Sequence, residues 1–330
     1  MNIGFFIRHF TERGTEVSAY DYALYNETVL QNKSYIICFT QAMQQRYGFP
    51  IERYSYDKFK RFEIIEINDM IDMKYYIQKH NLSFFYTQTH GGPDIYRFHE
   101  KYIWGNCKTI KHCVFDTTCP EGDFYISISK MLTIKNNTNI PVIPYIVDLP
   151  EVNDDLRDTL NIPRDVIVFG RHGGMDQFDI PMTHDAIKEH LELDSTCYFL
   201  FMNTQPFYDH PRIIYLDRNV DLHYKVKFIN TCDAMIHARS MGETFGLSIG
   251  EFSLKNKPII TCTSGDIEHI DILGDKALLY QSKEDILHLF KNIKSIIQSR
   301  QDWNAYRDYN PENVMALFQD IFKSCEKIII

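Results

Sequence analysis

Two glutamates with seven residues between them, in Glu243-Thr-Phe-Gly-Leu-Ser-Ile-Gly-Glu251, are the most chemically suggestive feature of this 330-residue chain. The apolar run ending near His237 reads as a strand, Gly242 as the turn after it, and Phe245 to Leu254 as a helix with Thr244 as its N-cap. Eight helical steps would rotate the two carboxylates about 80° apart. They face one site if Glu243 stays in the loop and Glu251 lies in the helix. The amides of Phe245, Gly246 and Leu247 then point at that site. A helix start carries roughly half a positive charge and suits a diphosphate, and a glycine at 246 lets an anion approach the backbone. The structural alternative is a carboxylate favouring the helix dipole plus a solvent-facing helical glutamate. A second candidate is Arg171, at the end of an expected strand and followed by His172-Gly173-Gly174. Its guanidinium is always charged and can grip phosphate with two parallel bonds; the alternative is a surface ion pair.

Such groups need strand ends to hold them, and the sequence supplies strands in alternation with helices. Short runs rich in Ile, Val, Phe and Tyr separate amphipathic stretches, the pattern of a parallel α/β sheet. In the first half, strands are expected at 3–7, 35–39, 63–67, 84–87, 112–115, 124–128 and 142–147, and helices at 17–30, 41–47 and 71–80. Pro141, Pro144 and Pro150 then mark a hinge. The second half is expected to hold strands at 166–170, 198–202, 213–216, 234–237 and 258–261. Its helices are expected at 154–160, 183–193, 222–230, 245–254, 283–298 and 312–327. The fold class is therefore α/β, with two doubly wound domains, 1–148 and 149–330, and a last helix able to pack back on the first domain. Ligands of such sheets bind outside the carboxyl ends of the strands.

Composition narrows the partners. Asp and Glu total 44 against 35 Lys and Arg, a net charge of -9, and no long basic block exists to grip a nucleic-acid backbone. The 21 Tyr and 23 Phe are read as core packing, with ring stacking on sugars or bases as the alternative. The cysteines at 38, 107, 113, 119, 197, 232, 262 and 325 form no CxxC pair and read as buried free thiols. The apolar start is broken by Arg8 and His9, too soon for a signal peptide, and no run approaches a membrane span. The expected location is cytoplasmic, and the sequons at Asn26 and Asn81 are read as chance. No DxD stands at a strand end, Asp176-Gln-Phe-Asp179 is a poor match, and no metal site or cofactor is expected. Phosphate-loop, GxGxxG and GxSxG motifs are absent.

The stretch from Asp233 through Glu243 to Glu251-Phe-Ser, followed by Lys257-Pro-Ile-Ile-Thr261, resembles the E-x7-E region of the retaining family 4 glycosyltransferases. Those enzymes have the GT-B fold. Phe169-Gly-Arg171 resembles their strand-end GR motif, and Ile143-Pro-Tyr-Ile-Val-Asp148 their interdomain segment. Arg13-Gly14-Thr15-Glu16 stands in the place of their glycine-containing first loop. Enzymes with similar GRxGG and GETFG segments occur in bacteria and large DNA viruses. The likeness spans nearly the whole chain and is more specific in the second half. It implies two Rossmann-like domains facing across a cleft, and transfer of a sugar from a UDP- or GDP-sugar donor to a glycan or glycoconjugate hydroxyl, with retention of configuration. Glu243 would hold the donor sugar and Glu251 the ribose. Arg171 would neutralise the departing diphosphate beside Gly173 and the amides of Thr244 to Leu247. Gly14 and Thr15 would approach phosphate or acceptor from the other domain.

The sequence departs from that pattern twice. The lysine that usually follows the GR arginine is absent from Gly174-Met-Asp176-Gln177-Phe, so the glycine-rich backbone or Arg239 would meet that charge. The histidine often found at a first-domain strand end is replaced by Phe115-Asp116, and His90, in Thr89-His90-Gly91-Gly92, is the candidate substitute. Arginine and helix amides would make a divalent ion unnecessary. A nucleotide-sugar epimerase or phosphorylase of the same fold, or an inactive glycan- or nucleotide-binding protein, are the alternatives.

Overall fold

The computed structural model describes residues 1–11, 13–194 and 196–326. Glu12 of the first loop, Lys327 of the last expected helix and the Cys325 side chain lie outside the description. The chain divides into two units, 1–146 together with the segment from Tyr309 onward, and 147–308.

The first unit runs β1 (Asn2–Phe6), α1 (Gly14–Thr28), β2 (Lys33–Phe39), α2 (Gln41–Tyr47), α3 (Arg53–Phe59), β3 (Glu63–Ile67) and α4 (Met73–His80). It continues with β4 (Phe84–Thr89), α5 (Lys101–Trp104), β5 (Lys108–Cys113), β6 (Phe124–Ser127) and α6 (Lys130–Lys135). All strand pairs are parallel, in the order β3-β2-β1-β4-β5-β6. Side chains alternate along β1, so Ile3 and Phe5 pack with Tyr22, Ile36 and Tyr86, while Phe6 joins Phe39, Phe85 and Tyr96. Both faces are thereby covered, which is why these strands read as nearly continuous apolar runs.

The second unit runs β7 (Ile167–His172), α7 (Pro181–Leu193), β8 (Cys197–Met202), β9 (Ile213–Leu216), α8 (Leu222–Thr231), β10 (Ala234–Ile236) and β11 (Gly242–Glu243). After these come α9 (Leu247–Leu254), β12 (Ile259–Cys262), β13 (Asp266–Ile267), α10 (Glu268–Leu273), β14 (Ala277–Tyr280) and α11 (Lys283–Ser299). Its main sheet has the order β14-β12-β10-β7-β8-β9, with β11 and β13 forming a separate two-stranded ladder. Both six-stranded sheets therefore share one winding: the unit's first strand has the next two on one side and the later three on the other. These are two doubly wound α/β units, the fold class read from the sequence. The last helix, α12 (Pro311–Glu326), belongs with the first unit, where Phe318 packs 5.1 Å from Tyr22 and 5.3 Å from Tyr86.

Two expected elements are not formed. Residues 142–147 make a single bridge, Ser127 to Val142, because Pro141 and Pro144 have no amide to donate to a ladder. Residues 154–160 form turns rather than a helix. There the Asp155 carboxylate accepts the Arg157 amide at 2.8 Å and pairs with Arg164, a local bond that competes with helix formation. Most aromatic rings are core rings, as Phe169 against Phe290 at 4.6 Å illustrates. Cys38, Cys107, Cys113, Cys197, Cys232 and Cys262 are buried free thiols, and Cys119 is free and half-buried. Asn26 is fully buried with its amide on Ser34, at 2.9 Å. No helix of the described residues is long and apolar enough to cross a membrane.

A polar chain crosses the first unit's core. Gln88 donates to the Tyr86 hydroxyl at 2.8 Å, which lies 2.7 Å from His112 Nδ1, while His112 Nε2 is 2.8 Å from the Ile143 carbonyl. The pattern assigns the proton to Nε2 and makes Nδ1 the acceptor. Burial pushes the His112 pKa down from 6.5 to about 3. Between those values the unfolded chain binds a proton that the folded chain does not, so stability falls as pH drops below the unfolded value. Going from pH 7 to pH 5 should cost roughly 2 kcal/mol from this group alone. Urea unfolding at the two pH values measures the difference, and His112→Gln should shrink it.

Candidate functional site

The second sheet reverses its winding between β7 and β10, and crevices of doubly wound sheets open at the carboxyl ends beside that reversal. β7 ends in Arg171-His172, and β10, paired through Met235 to Gly170, leads directly into His237. Successive strand residues point to opposite faces, so Arg171 and His172 serve different surroundings.

Arg171 turns inward. It is 4% exposed, its Nη1 donates to Thr204 Oγ1 at 2.6 Å and to the Asn203 carbonyl at 3.2 Å, and its Nη2 donates to the Gly174 carbonyl at 2.7 Å. A Cβ on Gly173 would lie 2.8 Å from that Nη2, so a larger residue there would displace the guanidinium from this position. Burial lowers the Arg171 pKa to about 10, and Glu243 is the carboxylate that most opposes the shift. This is neither the surface ion pair nor the open fork that the sequence allowed. The arginine ties the loops after β7 and β8 together.

Glu243 is held out of the helix by the β11–β13 ladder, paired with Ile267. The preceding Gly242 adopts φ +65, and a Cβ on it would sit 2.1 Å from the Asp266 carbonyl, so no other residue fits the turn. Arg239 Nη1 lies 2.9 Å from Glu243 Oε2, and His237 Nε2 lies 3.4 Å from Oε1. His237 Nδ1 is in turn 2.8 Å from Thr261 Oγ1, which is 2.9 Å from His269 Nε2. Burial alone would raise the Glu243 pKa, but His237 and Arg239 outweigh it and hold the pKa below the ordinary value. Glu243 is thus a carboxylate at neutral pH, an acceptor and not an acid. Arg239, considered as a free cation for phosphate, is engaged by Glu243.

Glu251 sits on α9, 5% exposed. Lys225 of α8 reaches it with Nζ 2.8 Å from Oε1. His172 Nε2 stands 3.0 Å from Oε2, though out of line for a hydrogen bond, and its ring stacks on Phe252 at 5.6 Å. Burial raises the Glu251 pKa, and Lys225 and His172 more than reverse this, bringing it to about 2. It is not the solvent-facing glutamate of the structural alternative.

α9 begins at Leu247, two residues later than expected, and its N-cap is Gly246 at φ +81, not Thr244, which is buried. The cause is Phe245. Its ring is 1% exposed and edge-on to Tyr306 at 5.5 Å, and its carbonyl accepts the Tyr306 hydroxyl at 2.8 Å, so the chain must turn at the next residue. The first helical bond joins the Gly250 amide to the Gly246 carbonyl. The amides of Gly246, Leu247, Ser248 and Ile249 therefore have no partner within the helix.

In the first unit, Gly14 opens α1, and the Thr15 hydroxyl donates to Glu16 at 2.7 Å. His90 follows β4, exposed, with its ring 5.5 Å from Phe115 and its carbonyl accepting the Phe115 and Asp116 amides. Asp116 accepts the Thr118 amide and hydroxyl at 2.9 and 2.8 Å, and these, with the His90 charge, lower its pKa. Arg171, Glu243, Glu251, Gly173 and the start of α9 thus gather at one end of the second sheet, and His90 and Asp116 at one end of the first. Sequence reasoning passed over His172, Lys225 and His237. The strand-end position of the two histidines was a usable signal, whereas Lys225 meets Glu251 only through tertiary packing.

Among the described residues, His190, Asp194 and Cys197 bring potential metal ligands within 4.8 Å of one another. They lie at the start of β8, away from the carboxyl ends, and Arg212 Nη1 stands 3.9 Å from the Cys197 sulfur, where its charge opposes a cation.

No protein-family model matches the chain, and neither does any curated protein. Solved structures do match. A glycosyltransferase from Rickettsia africae is 14% identical with a TM-score of 0.69, covering 99% of this chain and 98% of its own. Anabaena HepE, in complex with UDP and glucose, is 14% identical with a TM-score of 0.68 and 99% coverage of both chains. Sucrose-phosphate synthase from Thermosynechococcus elongatus is 12% identical with a TM-score of 0.61, over 100% and 99%. At these identities the likeness establishes the fold, the two-unit α/β architecture of GT-B glycosyltransferase structures.

Proposed function

We propose that this chain is a glycosyltransferase that moves a sugar from a UDP- or GDP-sugar to a hydroxyl of a glycan or glycoconjugate, with retention of configuration. One observation carries the reading: at the winding reversal of the second sheet, two ionised glutamates flank a helix start. HepE, which has this fold, holds UDP and glucose, in keeping with such a ligand.

On this reading Glu243 accepts hydrogen bonds from the donor sugar and Glu251 from the ribose. The first-turn amides of α9 and the Gly173–Gly174 backbone take the diphosphate, and the positive helix end steadies the charge that develops as it leaves. Arg171 acts on that charge through its field and by fixing the loop, since its Nη atoms are held by protein oxygens. The acceptor hydroxyl bonds to the anomeric carbon as the bond to the diphosphate breaks, and its proton passes to the donor phosphate. No metal is needed in this scheme. Gly14 and Thr15 approach the donor phosphate or the acceptor, and His90 and Asp116 are further contacts from the first unit.

A thermal-shift panel of UDP, GDP, ADP and their sugars tests this. The true nucleotide at a hundred times its Kd should add about 2.7 kcal/mol, and silence across the panel would sink the proposal. Conversion of a donor without any acceptor would identify an epimerase instead. Gly14 offers a separate check. Among the described residues a Cβ there meets only Tyr145, at 3.9 Å, which leaves room for alanine. Gly14→Ala should therefore stabilise the unit by about 0.5 kcal/mol while weakening substrate use about fivefold or more through lost close approach. Unchanged kinetics would remove Gly14 from the site.

A further inference from the structure

Resting on the donor-site reading of Glu251, we infer that Lys225 is the residue that makes this site select ribonucleotides over 2′-deoxyribonucleotides, by fixing the Glu251 carboxylate to receive both ribose hydroxyls. The argument starts from an imbalance. Glu251 and His172 are almost wholly buried beside the end of β7, among Phe228 and Phe252, and the Lys225 side chain, 15% exposed, reaches in to them from α8. A buried ion pair is a weak source of stability, since well-packed apolar residues of similar volume generally do as well. Its presence where a ligand is expected therefore calls for a recognition role.

Acceptor accounting supplies that role. Each carboxylate oxygen has two lone pairs. Oε1 uses one on Lys225 at 2.8 Å. Oε2 has His172 Nε2 only 3.0 Å away but not aligned to donate. Both oxygens thus retain acceptor capacity, and a 2′,3′-diol presents two O–H donors to match them. An ionised carboxylate only accepts; a protonated one has a donor in place of an acceptor and mismatches a diol. Burial acts upward on the Glu251 pKa, and Lys225, with His172, is what outweighs it, so losing Lys225 removes a main support of the ionised form. Lys225 also holds the carboxylate from the α8 side, while Phe252 backs the His172 ring on the other. Lys225 is accordingly a positioning residue that acts through Glu251.

The test is calorimetric binding of UDP, 2′-deoxy-UDP, GDP and 2′-deoxy-GDP to the full chain and to Lys225→Met and Lys225→Arg variants. The unaltered protein should prefer the ribonucleotide about tenfold or more, because a site built around a hydroxyl penalises its absence. Lys225→Met should bring the ratio below about threefold, mainly by weakening ribonucleotide binding, and Lys225→Arg should restore it. A purely structural lysine would alter melting and leave the ratio intact, which would overturn the inference. Lys225→Gln, which still donates to Glu251 but carries no charge, provides the measurement if the methionine variant does not fold. Ribonucleotide binding with no ribose preference in the unaltered chain removes this inference alone. Absence of any nucleotide binding removes the functional reading with it.

Discussion

Glu243→Gln should keep the second unit folded and lower sugar transfer by about a hundredfold or more, read as kcat/KM for the donor. The amide is isosteric, so the β11–β13 ladder and the Gly242 turn are undisturbed. What changes is charge. Arg239 and His237 lose the carboxylate that faces them at 2.9 and 3.4 Å, and the sugar loses an acceptor of two hydrogen bonds. Misplacing a reacting group by an ångström costs on the order of a hundredfold, and a sugar held through the amide's single oxygen is free to shift by that much. The loss should fall on kcat as well as KM, because donor orientation matters most when the glycosidic bond breaks. Circular dichroism and a melting curve establish folding in the same sample. A folded variant with a near-normal rate would mean that Glu243 anchors only Arg239 and His237.

The parts of this site that were legible in the sequence are those set by local chemistry. A strand-loop-helix around Glu243 follows from apolar runs and glycines, and the parallel α/β class follows from their alternation. The strand ends at Arg171 and His237 fall within a residue or two of expectation. The errors share a cause. Thr244 has the right composition for an N-cap, but Phe245 is drawn into the core and bound by Tyr306, a residue 61 positions away, and this moves the cap to Gly246. The partners of Glu251 were likewise unreadable, because Lys225 comes from α8 and His172 from β7. The segment 154–160 failed as a helix through a side-chain bond that composition alone does not rank against helix formation. Periodicity reports which face is apolar, and it is silent on which distant side chain completes a buried polar group.

Arg171→Met separates the field of this arginine from its grip, and it should cost stability as well as transfer. A ligand-facing arginine could be truncated with little harm to the fold. Arg171 instead serves three protein oxygens while 4% exposed, so its removal takes a donor from the buried Thr204 hydroxyl and from the half-buried Asn203 and Gly174 carbonyls, the last of which keeps the Gln177 amide at 3.1 Å. Unmaking charged hydrogen bonds of this kind should destabilise by roughly 3 kcal/mol, partly relieved because methionine keeps the stem packed. For a unit of this size that corresponds to about 6–12 °C in Tm. Transfer should fall further than the folded fraction explains, since the Gly173–Gly174 backbone proposed to meet the diphosphate is no longer pinned. Arg171→Lys keeps a positive charge with fewer donors. If the field alone matters, lysine should recover most of the transfer while remaining less stable; if the fixed loop matters, lysine and methionine should be about equally slow. A methionine variant as stable as the unaltered protein would show that the loop is held by other means.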